Sequence, residues 1–125
     1  MSVAKVIGVY TGDDYETITM IGHMLKPLDL QIEMIEDPLS FEFALSGTAV
    51  KKLKFNLVIC FVRGLYAYQM VAGSRTSGSE VPAIVIYTDP TLRSLPSPEN
   101  CVMISSRALE PSELQKAVRD LLKLE

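Results

Sequence analysis

The sequence predicts a single α/β domain over residues 1–125, a doubly wound five-stranded parallel sheet with strand order 2-1-3-4-5. Three observations carry this. Short apolar runs alternate with helix-period stretches, an alternation that implies right-handed crossovers between parallel strands. Two of the runs, Asn56 to Val62 and Ala83 to Tyr87, are continuous and rich in β-branched residues, as strands are when both faces are covered. Five strands in a chain of 125 residues with 48% hydrophobic and 22% charged side chains suit one core of ordinary size and favour that order. No internal repeat is present.

The first strand is expected in Val3 to Tyr10. A helix follows over Asp13 to Leu25, where Ile18, Ile21 and Leu25 fall on one face. Asp13, Asp14 and Glu16 suit the positive end of its dipole, and Pro27 closes it. Leu30 to Ile35 alternates apolar with polar residues and reads as an edge strand with one wetter face. A second helix is expected over Leu39 to Leu53, weakened by Gly47. Phe55 to Val62 is the third strand. A third helix over Leu65 to Ala72 is expected to fade into a polar loop from Gly73 to Ser79. Val81 to Tyr87 is the fourth strand and Cys101 to Ile104 the fifth. Between them stand Pro90, Pro96 and Pro98. Each removes a backbone donor and restricts the residue before it, so at most one turn is expected, at Thr91 to Ser94. The last helix opens near Pro111, and Leu114, Ala117, Val118, Leu121 and Leu122 make its apolar stripe.

Twelve basic against fifteen acidic side chains give a net charge of -3, a poor balance for a dedicated nucleic-acid binder. Two cysteines, Cys60 and Cys101, do not make a disulfide framework. The single histidine, His23, excludes a multi-histidine metal site, and no spacing offers a carboxylate to complete one with the cysteines. No apolar run reaches the roughly 18 residues of a membrane span. Met1 to Lys5 runs into the first strand without a signal-peptide layout, so a cytoplasmic protein with reduced thiols is expected.

In this arrangement the chain resembles the receiver domain of two-component response regulators over nearly its whole length. Asp13-Asp14 stands near the end of the first strand. Asn56 to Phe61 is similar to the receiver's third strand, and Val81 to Thr88, with its early proline, to the fourth. Glu110 to Leu114 followed by Val118 to Leu122 is similar to the last helix. The resemblance implies phosphoryl transfer to an aspartate at the end of the third strand. Two acids after the first strand would hold Mg²⁺, assisted by a Ser/Thr after the fourth strand and a Lys after the fifth.

This chain departs at each of those points. The acceptor position falls on Phe61, flanked by Cys60 and Val62, and no Asp or Glu occurs from Phe43 to Ser79. The metal acids fall on Tyr10 and Thr11, with Asp13 and Asp14 displaced into the helix start. The hydroxyl position falls on Tyr87 or Thr88. The Lys position falls on Ser105 or Arg107, and no Lys lies between Lys54 and Lys116. The family's fourth helix gives way to the proline-rich stretch. The resemblance is therefore to a degenerate receiver, a pseudo-receiver. It implies a non-enzymatic protein–protein interaction module in a signalling pathway, without cofactor or metal, meeting a partner protein or a second copy of itself. The expected docking surface comprises Leu92, Arg93, Leu95 and the helix from Pro111 to Leu124.

Other residues admit two readings. Asp13 and Asp14 suit Mg²⁺ or simply a helix N-terminus. Arg63, Arg93 and Arg107 follow three strands and converge on the carboxyl edge, where they suit an anion or salt bridges to Asp13, Asp14 or Asp89. Lys51, Lys52, Lys54, Arg63 and Arg75 make an acid-free block that could steer a partner or merely be solvated. Tyr66, Tyr68 and Met70 suit helix core or a partner anchor. Cys60 reads as an inert packing residue. Cys101 lies nearer a loop, with no cationic neighbour in sequence to activate it. His23 reads as solvated or structural. The alternative from another class is a flavodoxin-like small-cofactor or anion binder using Thr11-Gly12 with Thr17. Against it, Asp13 and Asp14 would stand beside the phosphate, and the loop has one glycine.

Overall fold

Five of the apolar runs become parallel strands: β1 (Val6–Tyr10), β2 (Gln31–Ile35), β3 (Leu57–Phe61), β4 (Ala83–Tyr87) and β5 (Cys101–Ser105). They lie in the order β2-β1-β3-β4-β5, as expected. The computed structural model describes residues 5–11, 15–47, 54–61 and 66–123. Four helices connect or flank the strands: α1 (Tyr15–Leu25), α2 (Pro38–Leu45), α3 (Tyr66–Thr76) and α4 (Pro111–Leu122).

The two-residue period of the strands divides the core. Ile7, Val9, Leu57, Ile59, Ile84, Ile86 and Ile104 face α1 and α4, where Ile21, Leu25, Leu114 and Val118 meet them. The intervening residues Tyr10, Val58, Cys60, Ala83 and Val85 pack against Phe41, Ala44 and Leu45 of α2 and Ala67 and Val71 of α3. Each fully buried Ile or Leu contributes roughly 1.5–3 kcal/mol of transfer free energy, so both faces are needed to hold the sheet. Gln115 Nε2 donates to the Met24 carbonyl at 2.7 Å, fixing α4 to the end of α1. The alternating run after α1 is indeed an edge strand: Gln31 is exposed, Glu33 half-buried, and Ile35 buried.

Two helices differ from expectation in length. The second was expected to reach Leu53, yet α2 ends at Leu45. Asp37 caps its start, accepting from the Ser40 N–H at 2.8 Å, with Pro38 in the first turn. Gly47 ends it with φ +83, a left-handed conformation that glycine adopts freely. Residues 48–53 lie outside the described residues. The third helix was expected to stop at Ala72, yet α3 runs to Thr76, so most of the expected polar loop is its last turn. The hydroxyls of Ser74 and Thr76 donate to the carbonyls of Val71 and Ala72, and Arg75 is held by tertiary partners. Gly78, at φ +91, turns the chain out of the helix.

The proline-rich stretch forms the single turn expected there, a 3-10 turn at Pro90–Ser94 capped by Asp89. It is not loose. Leu92 is buried beneath it. The Tyr68 hydroxyl donates to the Pro96 carbonyl at 2.9 Å. The Arg75 guanidinium donates to the carbonyls of Glu99 at 2.5 Å, Val81 at 2.5 Å and Asn100 at 3.2 Å. One face of α3 thus binds the loop between β4 and β5. No described helix is long and apolar enough to cross a membrane.

Candidate functional site

In an open α/β sheet the carboxyl edge of the strands is where ligands ordinarily meet the fold. Here that edge is formed by the ends of β1, β3, β4 and β5. The register brings Tyr10 beside Cys60, Cys60 beside Val85, and Phe61 beside Ile86, with Tyr87 beside Ser105 one step further out. The sheet therefore brings together Tyr10, Phe61, Tyr87 and Ser105, four of the positions at which the sequence placed a degenerate phosphorylation site. Thr11 and Thr88 follow directly. Asp13, Asp14 and Arg63 lie outside the described residues.

The edge is filled by rings. Tyr10 is buried and stacks on Phe41 of α2, with centroids 4.6 Å apart and planes at 15°. Tyr66 of α3 leans on Phe41 at 6.2 Å and 46°. Such contacts add about 0.5–1.5 kcal/mol beyond the area they bury. Phe61 faces the opposite side of the sheet and packs, partly buried, against the α1/α4 core. Tyr87 is 9% exposed and Thr11 8%. A carboxylate at Tyr10 or Phe61 would be set among aliphatic and aromatic carbon. Among the described residues no group of His, Cys, Asp and Glu is arranged to hold a metal ion.

The polar residues of the edge have modest roles. The Ser105 hydroxyl accepts from the Arg107 N–H at 3.3 Å and caps the turn Ser106–Ala108. Thr88 is exposed. The Arg93 and Arg107 side chains are exposed and make no ion pair among the described residues. Asp89 was one expected partner for an arginine. Its carboxylate is instead taken by the Thr91 hydroxyl and the Thr91 N–H at 3.0 Å, and these hydrogen bonds hold it below the usual carboxylate range.

Burial favours the protonated form of both thiols. Burial pushes the Cys60 thiol far up, and its S–H points to the Ile84 carbonyl at 3.5 Å. Burial pushes Cys101 up to about 11, against the opposing pull of the Arg75 guanidinium. That nearby cation was invisible in sequence, 26 residues away, because the α3–β4–β5 packing creates it. Sequence reasoning also missed Phe41, the centre of the aromatic group. A lone Phe in a helical stretch carries no signal of which strand end it will cover. His23 is exposed on α1.

The expected docking surface is only partly a surface. Arg93 and Leu95 are exposed, Leu95 at 36%, as is Pro111 at the start of α4. Leu92 is 1% exposed and drops out, because the 3-10 turn folds it inward. Leu124 lies outside the described residues.

The chain has the receiver-like fold. It matches a response regulator receiver domain protein from Bacillus halodurans with a TM-score of 0.63 and 16% identity, covering 95% of this chain and 97% of that one. A response regulator receiver protein from Sinorhizobium medicae matches with a TM-score of 0.65 and 14% identity over 98% of both chains. One from Burkholderia phymatum matches with a TM-score of 0.65 and 19% identity, over 97% of this chain and 98% of that one. No family model matches the sequence, and no curated protein does. At these identities the likeness is one of fold.

Proposed function

We propose that this chain is a receiver-like signalling module that binds a partner protein and is not phosphorylated. The observation that carries the reading is the aromatic filling of the carboxyl edge. Tyr10, which the sequence aligns with a metal acid, is stacked on Phe41, and Phe61, which it aligns with the acceptor, packs against the core and has no nucleophilic atom. Phosphoryl transfer to a carboxylate needs the acceptor oxygen and a cation beside it, and Phe61 supplies neither. On this reading the module is not an enzyme, takes no cofactor, contacts neither nucleic acid nor membrane, and works in the cytoplasm.

The partner, or a second copy of the chain, docks on Arg93, Leu95 and the exposed side of α4 from Pro111. Support comes from the pinned loop: Tyr68 and Arg75 hold its backbone in advance, so little ordering is required on binding. The deciding experiment incubates the protein with Mg²⁺ and acetyl phosphate, and separately with beryllofluoride, followed by intact-mass and NMR measurement. No added phosphoryl mass and no perturbation at Tyr10, Thr11, Phe61 or Tyr87 is expected. Stoichiometric, base-labile phosphorylation overturns the reading. The flavodoxin-like alternative has less support, since Thr11 is buried rather than offered at an open phosphate loop.

A further inference from the structure

Opposite the aromatic edge, α2 and α3 end side by side at the amino edge of the sheet and leave a cavity of about 360 Å³ between them. Its size is at the lower end of small-molecule sites. Glu42 carries the one charge among its described lining residues, and that carboxylate has no partner among the described residues. Leu45 and Met70 give it an apolar wall. Gly73 leaves that wall open, since a methyl there would meet nothing within 4 Å.

The polar lining has one character. Ser74 donates its hydroxyl to the Val71 carbonyl at 2.7 Å and Ser77 donates to Gly73 at 3.4 Å. Ser46 donates to Phe43 at 2.9 Å, and Ser79 to the Leu45 carbonyl across the gap between the helices. A hydroxyl has one proton to give, so these groups can meet a ligand as acceptors and not as donors; Ser74 already accepts from Arg75 Nη1 at 3.5 Å and Ser79 from the Val81 N–H at 3.4 Å, each using one of two lone pairs. The C-terminal ends of α2 and α3 add partial negative charge at the same place. Arg75 is the nearest cation, with Nη1 reaching Ser74 and the Ser79 carbonyl at 3.5 and 3.4 Å. It does not line the cavity, and the rest of its guanidinium is spent on Val81, Glu99 and Asn100.

We propose that this cavity binds a small alkylammonium group, its N–H donors directed to Glu42 and the serine oxygens and its methylenes laid along Leu45 and Met70. The same chemistry is carried by a free alkylamine or by a lysine side chain. The test is NMR titration of the full chain at low ionic strength with n-butylamine hydrochloride, with Nα-acetyl-lysine amide, and with sodium acetate as an anion control. Saturable shifts in the low-millimolar range are expected, confined to Glu42, Ser46, Gly73, Ser77 and Gly78. Butylamine binding more tightly names a free amine as the source, and the lysine amide binding more tightly names a side chain; either supports the site. Glu42→Gln should weaken binding about tenfold. Gly73→Leu should abolish it by filling the cavity while leaving the melting temperature unchanged or raised. No saturable shift, a larger response to acetate, or amine binding indifferent to both substitutions overturns the proposal.

Discussion

Phe61 and Gly8 show how single side chains fit the packing of this receiver-like fold. Phe61 packs partly buried against the α1/α4 core, so Phe61→Asp puts a carboxylate against carbon. It should cost roughly 1–3 kcal/mol without restoring phosphoryl uptake, as checked by urea unfolding and intact mass. Gly8 stands between β2 and β3, where an added methyl would lie 2.7 Å from Ile35 Cδ1 and 3.0 Å from Phe55 Cδ1. Gly8→Ala should therefore lose about 1–3 kcal/mol, because Ile35 is itself fully enclosed and cannot step aside. The thiols set an alkaline limit. Cys60 and Cys101 both titrate above their ordinary value of 9.0, Cys101 at about 11. Raised acids keep their protons in the folded chain while the unfolded chain releases them. The stability they hold is fully present below pH 9 and is lost as pH rises through the folded values. Thermal unfolding should be nearly independent of these groups from pH 7 to 8.5 and fall from pH 9 to 11. Cys101→Ala should flatten part of that fall.

The connection between β4 and β5 shows what one helix can do for a neighbouring segment. Three prolines prevent a long helix there, and α3 compensates by reaching across with Tyr68 and Arg75 to the carbonyls of Pro96, Glu99 and Asn100. Arg75 donates to backbone oxygens and pairs with no carboxylate among the described residues. Replacing it by Met keeps much of the stem and removes the donors. Arg75→Met should destabilise by about 1.5–3 kcal/mol and raise hydrogen exchange at Glu99, Cys101 and Ala83, with α1 and α2 amides unaffected. In α2, Asp37 satisfies the Ser40 N–H, and Asp37→Ala should cost about 1 kcal/mol.

For the molecule as a whole, the two ends of the sheet differ in chemistry. The carboxyl edge is plugged by Tyr10, Phe41 and Tyr66, and the pinned loop and α4 flank it with Arg93, Leu95 and Pro111. If association runs through that flank, Leu95→Asp should lower affinity for the partner, or for the second copy, with the circular dichroism spectrum intact. Analytical ultracentrifugation and pull-down from native extract check it. Sensitivity to Lys54→Glu with indifference at Leu95 would place the interface on the basic block instead.

The sequence alone determined the helix–strand alternation, because periods of 2 and 3.6 are written in consecutive residues and need no partner to be read; in a chain this short that alternation favours the strand order found. The sequence also shows that no Asp or Glu occurs from Phe43 to Ser79, so the residue that ends β3, Phe61, is not an acid. Helix ends were half legible. Gly47 was seen as a weak helix former, and its use as a left-handed terminator depended on how α2 leaves the sheet. The tertiary structure decided the rest. α3 reaches Thr76, where Arg75 finds its carbonyls on the segments that lead into β4 and β5. Leu92 turns inward because the proline-rich loop has core to cover. Tyr10 meets Phe41 because a parallel crossover returns α2 over the end of β1. Each of these joins residues far apart in the chain, and the free energy that fixes them comes from burial and donor–acceptor matching that exist only once the sheet has assembled.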